Sequence, residues 1–253
     1  MEDIPNLERP PTVSPLDKAS MPLWEHLEEL RAVLIKSLLI VSLGFCLTYV
    51  YSERLIQFLE APILSVLPSG QKSLYFTGIT DKFFVYLKVS VYSSLILTAP
   101  FLLKQVWNFI SPALKPSERK FAIPFLLMGS TAFFVGVLFS YFFVIPAGYR
   151  FLIEFGGHNE KPLINMVDYF SLTLQLLVSI GVLFELPVVT VILAKLGVLQ
   201  SSWLTRFRPQ AYLILAVVAA AITPTPDAFT LALVLIPLIL LYELSVQLVR
   251  WMT

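Results

Sequence analysis

The feature that most narrows the folds open to this chain is a series of six apolar runs, with charge largely confined to the stretches between them. A bilayer core about 30 Å thick takes roughly 20 apolar residues in helix. The runs cover Val33 to Tyr51, Phe83 to Leu103, Phe121 to Tyr149, Tyr169 to Leu193, Gln210 to Ile222 and Ala228 to Tyr242. Apolar residues make up 57% of the sequence and charged residues 14%, where a soluble domain carries roughly a quarter charged. The expected fold is all-α integral membrane, with six transmembrane helices in one domain over residues 21–253. The last two runs are short, spanning little more than about 20 Å each. They predict a short fifth and a short sixth helix, in a thinned bilayer, beside a water-filled flank or as a buried hairpin. No internal repeat is evident, so the inverted-repeat signature of many transporters is missing.

Basic residues orient the bundle. With the N-terminus inside, the inner segments hold twelve Lys and Arg and the outer segments six. An even helix count then puts both termini in the cytoplasm (N-in/C-in), and the expected location is the bacterial plasma membrane. Residues 1–20 are polar, Pro-rich and mildly acidic. They lack the basic start and apolar core of a secretory signal, and the Arg- and Ser-rich make-up of a transit peptide. They read as a short disordered cytoplasmic tail. Two outer loops are long, about Ser52 to Lys82 and Arg150 to Asp168. The first carries "FLEAPILSVLP", whose apolar spacing fits a short helix on the outer interface.

Several function classes are excluded early. A net charge near +1 gives no basic face for nucleic acid. The single cysteine, Cys46, lies inside an apolar run and rules out an intramolecular disulfide or a Cys-based metal site. The two histidines, His26 and His158, fall on opposite sides of the membrane. No nucleophile–His pairing, phosphate loop or metal-ligand spacing is present. The chain reads as no enzyme, with no metal and no cofactor.

The polar residues that remain are few. "MPLWEHLEELR" (Met21 to Arg31) places Glu25, Glu28 and Glu29 where a cytoplasmic helix end normally collects Lys and Arg. Ser20 suits an N-cap and Pro22 the first turn. Leu23, Leu27, Leu30 and Leu34 form one apolar stripe, with the acids off it. The helix dipole and a Glu28–Arg31 pair account for Glu25 and Glu28. Glu29 has another acid four residues before it, and stays open between a solvated acidic face and a cation site. The next inner segment, "KQVWNFISPALKPSERK" (Lys104 to Lys120), holds Trp107, Phe109, Ile110 and Leu114, too apolar for a solvated loop. It is either an interfacial anchor or an apolar groove rimmed by Glu118, which could also pair within its own loop.

Glu185 in "LFELPVV" is the most costly residue, since a carboxylate at that depth costs roughly 2.5 to 3.5 kcal/mol on insertion scales. It is expected to be wet and to face a cavity, with Pro187 kinking the helix beside it. Asp227, after the turn "TPTPD", suits a cap on the sixth helix. Glu243 and Arg250 read as interface charges. From these residues alone, one function is an ion-coupled secondary transporter with Glu185 as proton carrier; another is a membrane scaffold with no peptide site.

The polar landmarks together resemble the TatC family, the multispanning core of the twin-arginine protein translocase. The matching stretches are "MPLWEHLEELR", "LEAPI", "SLILTAPFLLKQVWNFISPALKPSERK", "FSYFFVIPAGYRFL", "FELPVV", "ITPTPD" and "IPLILLYELSV", in order and covering nearly everything after residue 20. The resemblance implies a concave, glove-like six-helix bundle. It implies a receptor for the Arg-Arg signal peptides of folded cargo, working with the single-span partners TatA and TatB, or one dual-purpose TatA-type protein. Other TatC copies and the proton-motive force would complete the system. By position, Glu29 and Glu118 match the acids for the twin-arginine motif, and Phe109 an aromatic of the same surface. Arg31 and Pro62 match positions with a structural role, Glu185 an intramembrane Glu, and Asp227 an outer hairpin Asp. Leu231 stands where some relatives carry Gln, which leaves Thr223 and Thr225 as the polar candidates for docking the small partners.

Overall fold

The computed structural model describes residues 23–68, 73–111, 122–156, 163–223 and 227–252, the side chains of residues 23, 25 and 26 excepted. Among these the fold is all-α. The helices are α1 (Leu23–Val50), α2 (Ser52–Val66), α3 (Asp81–Ile110), α4 (Ala122–Phe139) and α5 (Ile145–Glu154). They continue with α6 (Met166–Leu183), α7 (Leu186–Lys195), α8 (Ser201–Arg206), α9 (Arg208–Ile222) and α10 (Ala228–Met252). A π-helical turn, Ser140–Val144, joins α4 to α5 without a break. Five runs are long and apolar enough to cross a membrane: Leu27–Val50, Asp81–Ile110, Ala122–Glu154, Met166–Lys195 and Ala228–Met252. Arg208–Ile222 is a shorter apolar helix. The expected tail, residues 1–20, lies outside the described residues.

One expected boundary is corrected. The sixth hydrophobic run is not a short helix: α10 has 25 residues and continues through Glu243 to Met252. Glu243 suggested an end because a charge stops an apolar run. Here Arg208 of α9 donates to its Oε2 at 2.6 Å and the Tyr212 hydroxyl to its Oε1 at 2.6 Å. Paired in this way, the carboxylate joins the two helices instead of ending one.

α1 shows how a membrane solvent changes the meaning of amphipathicity. Its leucines at 27, 34, 38, 39, 43 and 47 are exposed, facing where lipid would be. The positions turned at least partly inward are 29, 33, 37, 40, 41, 44, 45 and 48, spaced at helical intervals, and the two fully buried ones are the small residues Gly44 and Thr48. Lipid tails are as apolar as leucine, so close backbone approach rather than apolar contrast drives helix pairing. α1 accordingly packs antiparallel on α3. The Thr48 hydroxyl donates to the Ser90 carbonyl at 2.7 Å, and the Ser94 hydroxyl to the Val41 carbonyl at 2.7 Å. Gly44 lets the backbones meet, because a Cβ there would lie 2.5 Å from Ser94 Oγ and 2.7 Å from Thr98 Cγ2.

α2 is longer than the expected interfacial helix and is partly built into the core, burying Ile56, Leu59, Pro62 and Ile63. Pro62 lacks the N–H that would satisfy the Phe58 carbonyl. The Tyr141 hydroxyl of the π turn donates to that carbonyl at 2.7 Å, and the two rings stack with centroids 4.6 Å apart. The Tyr169 hydroxyl of α6 donates to the next carbonyl, Leu59, at 2.5 Å. Past α2, Tyr75 and Asn165 form a single bridge between the segment before α3 and the segment before α6. Its bonds run from Tyr75 N to Ile164 O at 3.0 Å and from Met166 N to Tyr75 O at 2.7 Å.

Candidate functional site

The inward stripe of α1 ends at Glu29. The side chain of Glu29 is half-buried, while those of Glu28 and Arg31 are exposed. Continuing the α1–α3 register set by Thr48 and Ser90 places Glu29 opposite the last turn of α3, which carries the half-buried Phe109. Two residues named from separate sequence segments therefore share one end of one helix pair. Around them Trp24, Leu27 and Val106 are exposed apolar groups. Trp107 has a different job: it is buried, with its ring 5.0 Å from that of Phe125 and Val188 beside it. The expected apolar loop is thus helical as far as Ile110, and Trp107 anchors α3 to α4 and α7 rather than lining a groove. Glu118 and the rest of residues 112–120 lie outside the described residues.

Glu185 sits in the helix break between α6 and α7, two residues before Pro187, which fills an early position of α7. It is 8% exposed, and both carboxylate oxygens are buried without a hydrogen-bond partner among the described residues. The carboxylate lies against the bare backbone of α4: a Cβ on Gly129 would stand 3.1 Å from its Oε2, and 3.3 Å from Leu103 Cδ1. The expectation of a wet, cavity-facing group is not met. Helix packing closes over the carboxylate because Gly129 leaves room for it in the α4 face.

At the other end of the bundle, Asp227 does what its position suggested. Its Oδ1 accepts from the Thr230 backbone N–H at 2.7 Å and its Oδ2 pairs with the Thr230 hydroxyl, closing the start of α10. Thr223 is buried, and its hydroxyl donates to the Ala219 carbonyl of its own helix at 2.9 Å. Thr225 lies outside the described residues. The Arg208–Glu243–Tyr212 group was missed as a unit. Its signal was present, since Arg208 and Tyr212 are four residues apart and share a helix face. Among the described residues no group of three His, Cys, Asp or Glu side chains could hold a metal ion.

Comparison with known proteins gives one consistent result. The profile of the family described as Sec-independent protein translocase protein (TatC) matches residues 25–237. The Sec-independent protein translocase protein TatC of Carboxydothermus hydrogenoformans is 36% identical over 236 residues, covering 93% of this chain and 96% of the relative. The TatC of Escherichia coli K12 is 35% identical over 228 residues, covering 90% and 87%. A crystal structure described as the twin-arginine translocase receptor TatC superposes with a TM-score of 0.80 at 36% identity, covering 89% of this chain and 98% of that one.

Proposed function

The chain belongs to the TatC family, and from that premise we propose that it is the signal-peptide receptor of a twin-arginine translocase. Seated in a bacterial plasma membrane with both termini in the cytoplasm, it binds the Arg-Arg motif of a folded cargo's signal peptide at the end of α1 and α3. TatA and TatB, or one dual-purpose TatA-type protein, assemble with it and with further copies of this chain. The proton-motive force drives transport.

The observation that carries the reading is the placement of Glu29. A carboxylate on a buried helical stripe, at the end nearest a half-buried aromatic, is partly desolvated before any ligand arrives. A guanidinium answers it with two parallel N–H donors, and a lysine ammonium cannot reproduce that fork. Phe109 offers an apolar surface to the residues beside the arginines, and Glu118, on the same side of the membrane, supplies the second carboxylate. The sealed position of Glu185 weighs against an ion-coupled transporter, which needs an aqueous path to its proton carrier.

A photocrosslinker at Phe109 tests this. An Arg-Arg signal peptide should be labelled strongly and its Lys-Lys counterpart weakly; equal labelling of the two would sink the receptor assignment.

A further inference from the structure

Beneath α2, at the end of the bundle away from Glu29, a cavity of about 280 Å³ opens between α1, α3 and α4. Its wall includes Thr48, Phe58, Ile96, Leu97, Leu138 and Tyr141. Of the three hydroxyls in that wall two are committed, Thr48 to the Ser90 carbonyl and Tyr141 to the Phe58 carbonyl, which leaves Ser93 as one small polar group in an otherwise apolar lining. The cavity therefore has room for several waters and little to bond them with, and such apolar voids stay dry. Its rim is exposed: Phe58, Leu97 and Leu138 are 56%, 48% and 53% accessible. Leu97 and Leu138 belong to runs long enough to cross a bilayer, so the rim opens into hydrocarbon.

The α2 residues over the cavity, Leu55, Phe58 and Leu59, are apolar, and a cation stands just outside them. Arg54 lies one helical turn before Phe58 on the exposed side of α2, its guanidinium 6.0 Å from the Tyr51 ring centre, with no ion pair among the described residues. Glu53, the adjacent acid, points about 100° away around the helix. A cation standing one turn above a dry slot that opens to lipid matches the two ends of one molecule. The π turn at Ser140–Val144 contributes Tyr141 to the wall, and such insertions recur at functional sites.

We propose that this cavity is a lipid site. An anionic phospholipid of the leaflet nearest α2 inserts one acyl chain between α1, α3 and α4, and its phosphate rests on Arg54. The site fills the gap under α2 and ties that helix to the bilayer surface. It does not depend on the receptor assignment.

The test uses the full chain in nanodiscs, with phosphatidylglycerol carrying a photoactivatable group in its acyl chain, and phosphatidylcholine with the same chain as control. Crosslinks should concentrate on Ser93–Leu97 and Phe134–Leu138, above those on the lipid-facing leucines of α1. Leu97→Trp should cut labelling at these segments several-fold and leave α1 labelling alone. Arg54→Gln, an exposed change that spares the packing, should abolish the preference for phosphatidylglycerol over phosphatidylcholine. Uniform labelling of all lipid-facing helices, or labelling indifferent to both variants, would overturn the proposal. So would displacement of the label by an apolar peptide but not by unlabelled phosphatidylglycerol.

Discussion

Glu28 and Glu29 are adjacent on α1, and a turn of 100° separates what they can do. Glu28 faces outward, while Glu29 completes the stripe that runs through Gly44 and Thr48 to α3. Glu29→Gln should weaken binding of an Arg-Arg signal peptide by roughly tenfold or more, since a charge-assisted contact is worth about 1.5 to 3 kcal/mol. Glu28→Gln should leave it nearly unchanged, and titrating a fluorescent peptide into the solubilised protein compares the two. Glu185 should behave in the opposite sense with respect to stability. A buried carboxylate with no partner is costly, so Glu185→Gln should raise the thermal midpoint in detergent, by about 1 to 3 kcal/mol in free energy. A lower midpoint would mean that the carboxylate is held by something the packing does not reveal. Which carboxylates to single out could be read from the sequence. Their environments were not, because periodicity names a face without saying whether lipid, water or a neighbouring helix lies against it.

At the scale of the element, the first helix was located correctly by its apolar run. The leucine stripe near its start named an apolar face without saying whether lipid or protein lies against it. In a bilayer the leucines face out and the small residues face in. Gly44→Ala should therefore separate α1 from α3, costing about 1 to 3 kcal/mol as an overpacked contact. Because Glu29 lies on the same stripe, the substitution should also weaken peptide binding from a distance of several turns. Both effects should appear in one preparation, as a lower unfolding midpoint and a weaker titration. For α2 the sequence supplied the proline but not its consequence. Pro62 leaves the Phe58 carbonyl to Tyr141, a residue distant in the chain that periodicity cannot pair with it. Tyr141→Phe leaves that carbonyl orphaned and should cost about 1 to 3 kcal/mol. Faster proteolysis near α2 would mark where the loss is felt. The length of α10 was misread for a similar reason, since the partners of Glu243 sit on another helix.

For the whole molecule, composition and run length fixed the class, and the order of seven short motifs fixed the family. Neither could say how the segments before α3 and α6 meet. Orientation is open to a direct check on a Cys46→Ala background, which removes the only native thiol. A cysteine at Phe76 should react with a membrane-impermeant reagent added outside intact cells, and one at Gly197 only after the cells are opened. The reverse pattern would invert the receptor face and refute the assignment of its cargo. The Tyr75–Asn165 bridge makes a different kind of statement, one about time. Its two residues lie 90 positions apart in the chain. A ribosome adding about 5 to 20 residues per second needs roughly 5 to 20 seconds to supply Asn165 after Tyr75. During that interval the segment between α2 and α3 stands with its latch unmade. Two further spans must be inserted before it can close. An arrested nascent chain ending before Asn165 should therefore expose a first loop that proteases cut, and one that extends past α6 should protect it.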